Sequence, residues 1–314
     1  MKYTKPKIII SKCLEFDACR YDGQIINNQY IKKLKKHIEF ITVCPEVEIG
    51  MGTPRLPIKI IESSKGKQLF QPETGKNYLR KMKKFSNEFL NEKNVDGFIL
   101  KSKSPSCGVN TAKVYPNKKN CAPIKKSHGI FTESIINKFP YHPIEEEKRL
   151  NNDFIREHFY TSIFTIADFR KVNDFNNLYK YHAKHKYLFM AYNQIIMREM
   201  GKIAANENNY EIELVIKKYY EKLLLLFLKK ARVPSNINTQ MHVMGYFKKF
   251  LSPKEKEHFL NALELYRNKK IAVSSINSIL YSWVVRFEND YLLKQSFFNP
   301  FPSDLIESEK SRFI

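Results

Sequence analysis

The 314 residues are 43% hydrophobic and 27% charged, enough apolar material for the cores of two domains of ordinary size. No run of about 18 or more apolar residues occurs, and the start "MKYTKPKIIISKC" is too short and too polar after its apolar stretch to act as a signal peptide, so a soluble cytoplasmic protein with no membrane partner is expected. Lys and Arg number 54 against 32 Asp and Glu, and a net charge of +22 exceeds what solubility requires; it points to a polyanionic partner, or more blandly to a lysine-rich genome.

The excess charge is uneven. Residues 1–140 hold 27 basic and 12 acidic side chains, and "KVYPNKKNCAPIKKSHG" (113–129) carries five lysines and no acid. Five cysteines, an odd number, argue against a disulfide framework and raise metal or redox chemistry instead.

In chain order, Lys7 to Ile10 reads as a strand ending at "SKC", and residues 24–40 as a basic amphipathic helix. Phe40 to Cys44 is a short apolar run; a loop rich in Pro and Gly follows. Residues 75–94 read as helix, and "VDGFILK" as strand again. This alternation predicts an α/β domain over residues 1–140 with a mainly parallel sheet and flanking helices. "FPYHPIEEE" (139–147), with two prolines, reads as a linker. From Tyr141 strand-period runs give way to long helix-period stretches at 179–205, 212–231 and 276–297, so residues 141–314 are predicted to be an all-α domain. Ser252, Pro253 and Glu255 predict a capped helix start. The run 223–228, "LLLLFL", predicts a buried helix centre, and Trp283 with the many Phe and Tyr at helical spacing predicts core.

Cys13, Cys44 and Cys107 each lie at or just beyond the carboxyl end of a predicted parallel strand. In an open α/β sheet these ends meet in one crevice where ligands bind. Three thiolates there suit a soft metal centre, and no CxxC knuckle is present to make a zinc ribbon. A cubane iron-sulfur cluster on three cysteines leaves one iron open for substrate. The alternative is that each cysteine is a small buried hydrophobe. Cys19 and Cys121 lack the strand-end placement and read as structural or incidental. Gly108 permits close backbone approach, Pro105 stiffens the turn, and Ser104 and Ser106 offer hydroxyls.

"SKCLEFDACRYDGQ" (11–24), "VCPEVEIGMGTPRLPI" (43–58) and "LKSKSPSCGV" (100–109) resemble, in order and spacing, three blocks of the TudS thiouracil desulfidase family. "HKYLFMAYNQ" (185–194), "HVMGYFKKFLSPKEKEHF" (242–259) and "QSFFNPFPSDL" (295–305) resemble the YbgA family domain, and the fusion is similar to RudS-type desulfidases acting on 4-thiouridine in tRNA. The resemblance implies a [4Fe-4S] cluster on Cys13, Cys44 and Cys107, with the thiocarbonyl sulfur of the substrate on the fourth iron and a net hydrolysis. It also implies Glu46 as the catalytic carboxylate that handles water or a proton, and Ser104 as a hydroxyl touching the substrate or the departing sulfur, although a Ser before Pro also shapes turns. Arg20, Tyr21 and Asp22 either order the loop or face the nucleotide. Arg55 either contacts a phosphate or base or pairs with an internal acid. After "CL" the family usually continues with Leu and Gly, whereas Glu15 and Phe16 stand here.

Charge favours a tRNA substrate over a free base, because phosphates release counterions on binding, and a stacked 4-thiouridine would have to be exposed by distortion or flipping. In "YKYHAKHKY" (179–187), His182, Lys184, His185 and Lys186 are candidate RNA contacts; the histidines could equally be satisfied core residues or a solvated face. Two other readings remain: a desulfidase for free 2-thiouracil or 4-thiouracil, and a noncatalytic RNA-binding protein with a structural metal.

Overall fold

In the computed structural model, which describes residues 3–64, 66–117 and 121–306, the run "KIIIS" forms strand β1 (Lys7–Ser11). Ile8, Ile9 and Ile10 have no exposed surface. Burying each stabilises by about 1.5–3 kcal/mol, and a strand apolar on both faces belongs inside a parallel sheet. Helix α1 (Gln29–Leu34) leads to β2 (Glu39–Val43), which pairs parallel to β1 with Ile9 opposite Ile41. The helix is much shorter than residues 24–40 because Asn28 caps it, accepting from the amides of Tyr30 and Ile31. The segment before Asn28 instead runs along the first cysteine loop, where Ile26 bridges Leu14.

A four-residue turn of helix, α2 (Pro45–Glu48), follows β2 directly. Next come β3 (Lys59–Ser63) and β4 (Gly66–Phe70), an antiparallel pair. Helix α3 (Leu79–Asn91) precedes β5 (Gly97–Leu100), which pairs parallel to β1 on the side away from β2. Strands β6 (Ala112–Tyr115) and β7 (Lys125–Ser127) extend the β3–β4 pair, α4 (Ile130–Lys138) follows, and β8 (Ile144–Glu146) closes the first sheet beside β5. The two sheets have strand orders β2-β1-β5-β8, all parallel, and β4-β3-β6-β7, mixed. Ile60, Leu69, Val114 and Ala112 of the second sheet share a core with Ile9, Phe98 and Leu100 of the first. The α/β architecture with a mainly parallel sheet is therefore present, but the second sheet replaces an expected loop.

The domain boundary also differs from the one expected at residue 140. The two units divide between Ala167 and Asp168, with residues 304–306 returning to the first. The supposed linker holds a strand: Ile144–Glu146 pairs with Phe98, Ile99 and Leu100, and helix α5 (Asp153–Phe169) begins in the first unit. The second unit is helical as expected, with α6 (Phe175–Ala205), α7 (Ile212–Leu226), α8 (Val233–Gly245), α9 (Pro253–Arg267), α10 (Val273–Arg286) and the short α11 (Asp290–Leu293). Ser252 and Glu255 form the full capping box that starts α9. Helix α6 breaks at Asn193, whose extended backbone and side chain start a new helical segment by accepting from Ile195 and Ile196. Trp283 is core, as are Leu223, Leu224, Leu226 and Phe227, while Leu228 is exposed beyond the end of α7. Among the described residues no helix is long and apolar enough to cross a membrane.

Candidate functional site

Three carboxyl ends of the first sheet deliver three thiols to one place. Cys13 stands two residues past β1, Cys44 directly follows β2, and Cys107 closes a loop from β5; their exposures of 8%, 8% and 5% leave them nearly dry. Cys19, 4% exposed, joins them, its thiol hydrogen-bonded to both Cys13 and Cys44. Its position mid-loop gave no sign of this. The bond with Cys13, and burial after it, push the Cys19 thiol up to about 11. The Cys44 thiol is pushed well up by its bond with Cys19 and then by burial. Burial raises the Cys107 thiol, against weaker opposition from the Ser11 and Ser104 hydroxyls, and the charge of Cys44 is near enough to raise it further. These thiols are therefore neutral in the absence of a cation, and a metal binding here has to release their protons.

The donor set discriminates between kinds of metal. Sulfur donors suit a soft metal centre, whether a single tetrahedral ion or an iron-sulfur cluster. A cubane takes each thiolate on a different iron, and dry thiols from three separate strand ends are a donor set that such a cluster can use. Cys13, Cys44 and Cys107 are the residues that would hold it.

Beside them sits one carboxylate. Glu46, in the first turn of α2, receives Nε and Nη2 of Arg55 on Oε2, both at 2.8 Å, and the Ser106 hydroxyl on Oε1 at 2.9 Å. Arg55 also donates to the carbonyls of Cys19 and Gly52, each at 2.9 Å, and its Nη2 lies 3.8 Å from Cys44 Sγ. Burial works against the guanidinium charge, and Glu46 more than restores it, so the Arg55 pKa lies above its ordinary value. Arg55 thus pairs with an internal acid, the alternative to a phosphate contact.

The Cys107 loop is held by Ser104, as its place before Pro105 foreshadows, and by groups that sequence patterning does not disclose. Ser104 Oγ accepts from the amides of Ser106 and Cys107 at 3.1 Å, shaping the turn. Glu147 accepts from the Ser102 amide and hydroxyl, both at 2.7 Å, and from Lys101 Nζ at 2.8 Å; Glu146 accepts from the Val109 amide at 2.7 Å and from Thr111 Oγ1. These two buried carboxylates anchor both ends of the loop, and they lie in the segment that reads as a linker. The carbonyls of Pro105 and Ser106 accept the first amides of α4, and Thr132 Oγ1 donates to the Cys107 carbonyl at 2.8 Å. This closeness demands glycine: a Cβ on Gly129 would lie 2.4 Å from the Ser106 oxygen, and one on Gly108 2.8 Å from the Ser104 oxygen.

The remaining singled-out residues divide. Arg20 is engaged with Asp22 at 3.2 Å and Gln24 at 3.3 Å in the turn closed by Gly23, whereas Tyr21 is 47% exposed. Glu15 and Phe16, the departures from the family pattern, are accommodated: Glu15, at φ 69°, accepts from the Asn28 amide, and Lys35 sits 4.4 Å from the Phe16 ring while donating to the Glu15 carbonyl. In the helical unit, Lys184 is bonded to Asp168 at 2.6 Å, and Lys186 lies 6.0 Å from the Tyr187 ring. His185 is buried between Ser296 (2.7 Å) and Asp168 (3.3 Å), and His182 bonds Tyr219 at 2.8 Å. His185 is a satisfied core residue, and His182 is partly buried and hydrogen-bonded as well.

A family model described as 2-thiouracil desulfurase matches residues 8–147, and one described as a protein of unknown function (DUF1722) matches residues 186–302. The chain is similar to "Uncharacterized protein YbbK" of Bacillus subtilis, 32% identical over 110 residues, covering 32% of this chain and 72% of that protein. It is also similar to "Uncharacterized protein YbgA" of Escherichia coli, 21% identical over 126 residues, covering 40% of this chain and 75% of the relative. A solved structure titled as the [4Fe-4S]-dependent thiouracil desulfidase TudS aligns with 47% of this chain and 94% of its own, at 24% identity and a TM-score of 0.38.

Proposed function

Through residues 8–147 the chain belongs to the 2-thiouracil desulfurase family, a family of sulfur-removing enzymes, and on that premise we propose that it hydrolyses the C=S group of 4-thiouridine in tRNA, using a [4Fe-4S] cluster held by Cys13, Cys44 and Cys107. The observation that carries this reading is the convergence of those three dry thiols beside the clamped carboxylate of Glu46.

When bound, the cluster supplies Lewis acidity toward the thiocarbonyl sulfur at an iron without a protein ligand. The rest falls to the chain. Glu46 Oε2 is taken by Arg55; Oε1, which accepts from Ser106, retains a lone pair for the proton of a water. The water oxygen forms the new C–O bond, the C–S bond breaks, and sulfur departs as hydrogen sulfide with no net change of oxidation state. Arg55 is a positioning residue that keeps Glu46 aimed, and Ser106 tethers the Cys107 loop to the same carboxylate. Ser104, its oxygen accepting two amides and its hydroxyl beside the Cys107 thiol, shapes the Cys107 loop and stands where it could meet the substrate or the leaving sulfur.

The net charge of +22 supports RNA as the substrate. The description of the matching family supports a second reading, turnover of free thiouracil. Comparing turnover on thiolated tRNA and on free 2- and 4-thiouracil tests the choice. Faster conversion of the tRNA, with steep inhibition by salt confined to it, is expected; conversion of the free bases alone would overturn the RNA reading and keep the desulfidase.

A further inference from the structure

The lysines of segment 113–129 are absorbed by nothing in the site. The structure folds its two ends into the antiparallel pair β6–β7, in register Ala112 to Ser127, Lys113 to Lys126 and Val114 to Lys125. Side chains alternate between faces along a strand, and directly opposed residues share a face. Lys125 therefore accompanies the buried Val114, on the face where it meets Glu62 at 2.7 Å. Lys113 and Lys126 stand together on the other face, both exposed.

Two like charges directly opposed across a strand pair destabilise it. The same face continues through Tyr115, two residues from Lys113, as far as β3, where Ile61, itself buried, opposes Tyr115. Lys59 shares it, its Nζ 5.0 Å from the Tyr115 ring. The neighbouring strand β4 adds Gln68, opposite Ile61. The acid of these strands, Glu62, opposes Lys67 on the other face. The result is a pair of directly opposed ammonium groups, Lys113 and Lys126, standing beside Tyr115, whose ring Lys59 already engages.

We propose that this face of the second sheet, carrying Lys113, Lys126, Lys59 and Tyr115, is a docking surface for the phosphate backbone of RNA. The charge that is unfavourable in the free protein is neutralised by phosphates on binding, with release of their counterions. Lysines act there as point charges that track a backbone without reading sequence. The inference rests on the RNA reading above, and adds the place where the RNA is gripped.

The test measures binding of thiolated tRNA by fluorescence anisotropy across a salt series, for the wild-type chain, for Lys113→Gln/Lys126→Gln, and for Lys254→Gln/Lys256→Gln on α9, which removes the same charge elsewhere. The hairpin variant is expected to bind about tenfold more weakly at low salt, to flatten the slope of log K against log salt by roughly 1.5, and to melt no lower than wild type because a repulsion has been removed. An unchanged slope, or an equal loss in the α9 variant, would overturn the surface while leaving RNA as substrate. A wild-type chain that turns over free thiouracil yet fails to bind tRNA would overturn both. Anionic phosphatidylserine vesicles bound through the same two lysines, with tRNA binding unaffected, would assign the face to lipid headgroups and overturn the proposal.

Discussion

Each unit of this molecule buries a polar cluster, and the two clusters are built for different ends. In the helical unit Asp168 accepts from Lys171 at 3.0 Å, Lys184 at 2.6 Å and His185 at 3.3 Å, and His185 bonds Ser296 in turn. Next to them Gln295 inserts its amide into the ladder of α6, donating to the Ala183 carbonyl and accepting from the Tyr187 amide. Each member of that group has protein partners, so the cluster fastens the segment after α11 onto α6. In the α/β unit the carboxylates are equally well partnered, but they surround thiols that hydrogen-bond only weakly and stay protonated in their dry surroundings. A buried polar cluster points to chemistry where partner accounting leaves valence unused, and to architecture where it does not.

The sharpest break of this comparison is to remove one sulfur. Single Cys13→Ser, Cys44→Ser or Cys107→Ser replacements are expected to abolish the visible absorption of anaerobically purified protein, while Ser296→Ala should leave it intact; a fully coloured Cys107→Ser protein would remove that ligand. Glu46→Gln should retain the cluster and lower turnover by about 10²- to 10⁴-fold, and full activity would take Glu46 out of the mechanism. On the architectural side, Asp168→Ala strands Lys184 and His185, and is expected to destabilise the helical unit by about 3 kcal/mol in denaturant melts with the absorption spectrum unchanged. Gly129→Ala, driven into the backbone of Ser106, should cost about 1–3 kcal/mol and lower iron content, an effect absent if the Cys107 loop shifts freely.

The last effect is in pH. Burial, and then the charges of Lys186 and His185, lower the His182 pKa from 6.5 to about 4. The unfolded chain therefore takes up a proton that the folded helical unit refuses. Stability is complete above about pH 6.5 and falls as the pH drops toward 4, by on the order of 2–3 kcal/mol. In urea melts at pH 7 and pH 4.5, His182→Asn should flatten this dependence; an unchanged slope would exclude His182 as its source.

The features legible in the sequence were those in which one strong local signal had no competitor. β1 and β5 are apolar runs buried on both faces, β2 is a mostly apolar edge strand, and each is followed by its cysteine. Ser252, Pro253 and Glu255 announce α9 outright. Hidden features depended on distant partners. Strands β3, β4 and β6 mix apolar residues with Lys, Glu and Gln and β7 is wholly polar, in runs of three to five too short to stand out from polar loop. β8 is masked by Pro140 and Pro143, and the roles of Glu146 and Glu147 emerge only when β8 lies beside β5. The long stretch 276–297 is divided because Phe287 ends α10 and Glu288, at φ 46°, turns the chain before Asn289 caps α11. Cys19 was hidden for the same reason: its neighbours Asp17 and Arg20 are polar, and only the return of β2 brings Cys44 against it.

Iron and acid-labile sulfide in anaerobically purified wild-type protein test the central claim most directly. About four of each per chain, lost together with desulfidase activity on chelation, is the expected result. One zinc per chain with no sulfide, in protein that still removes sulfur from its substrate, would contradict it.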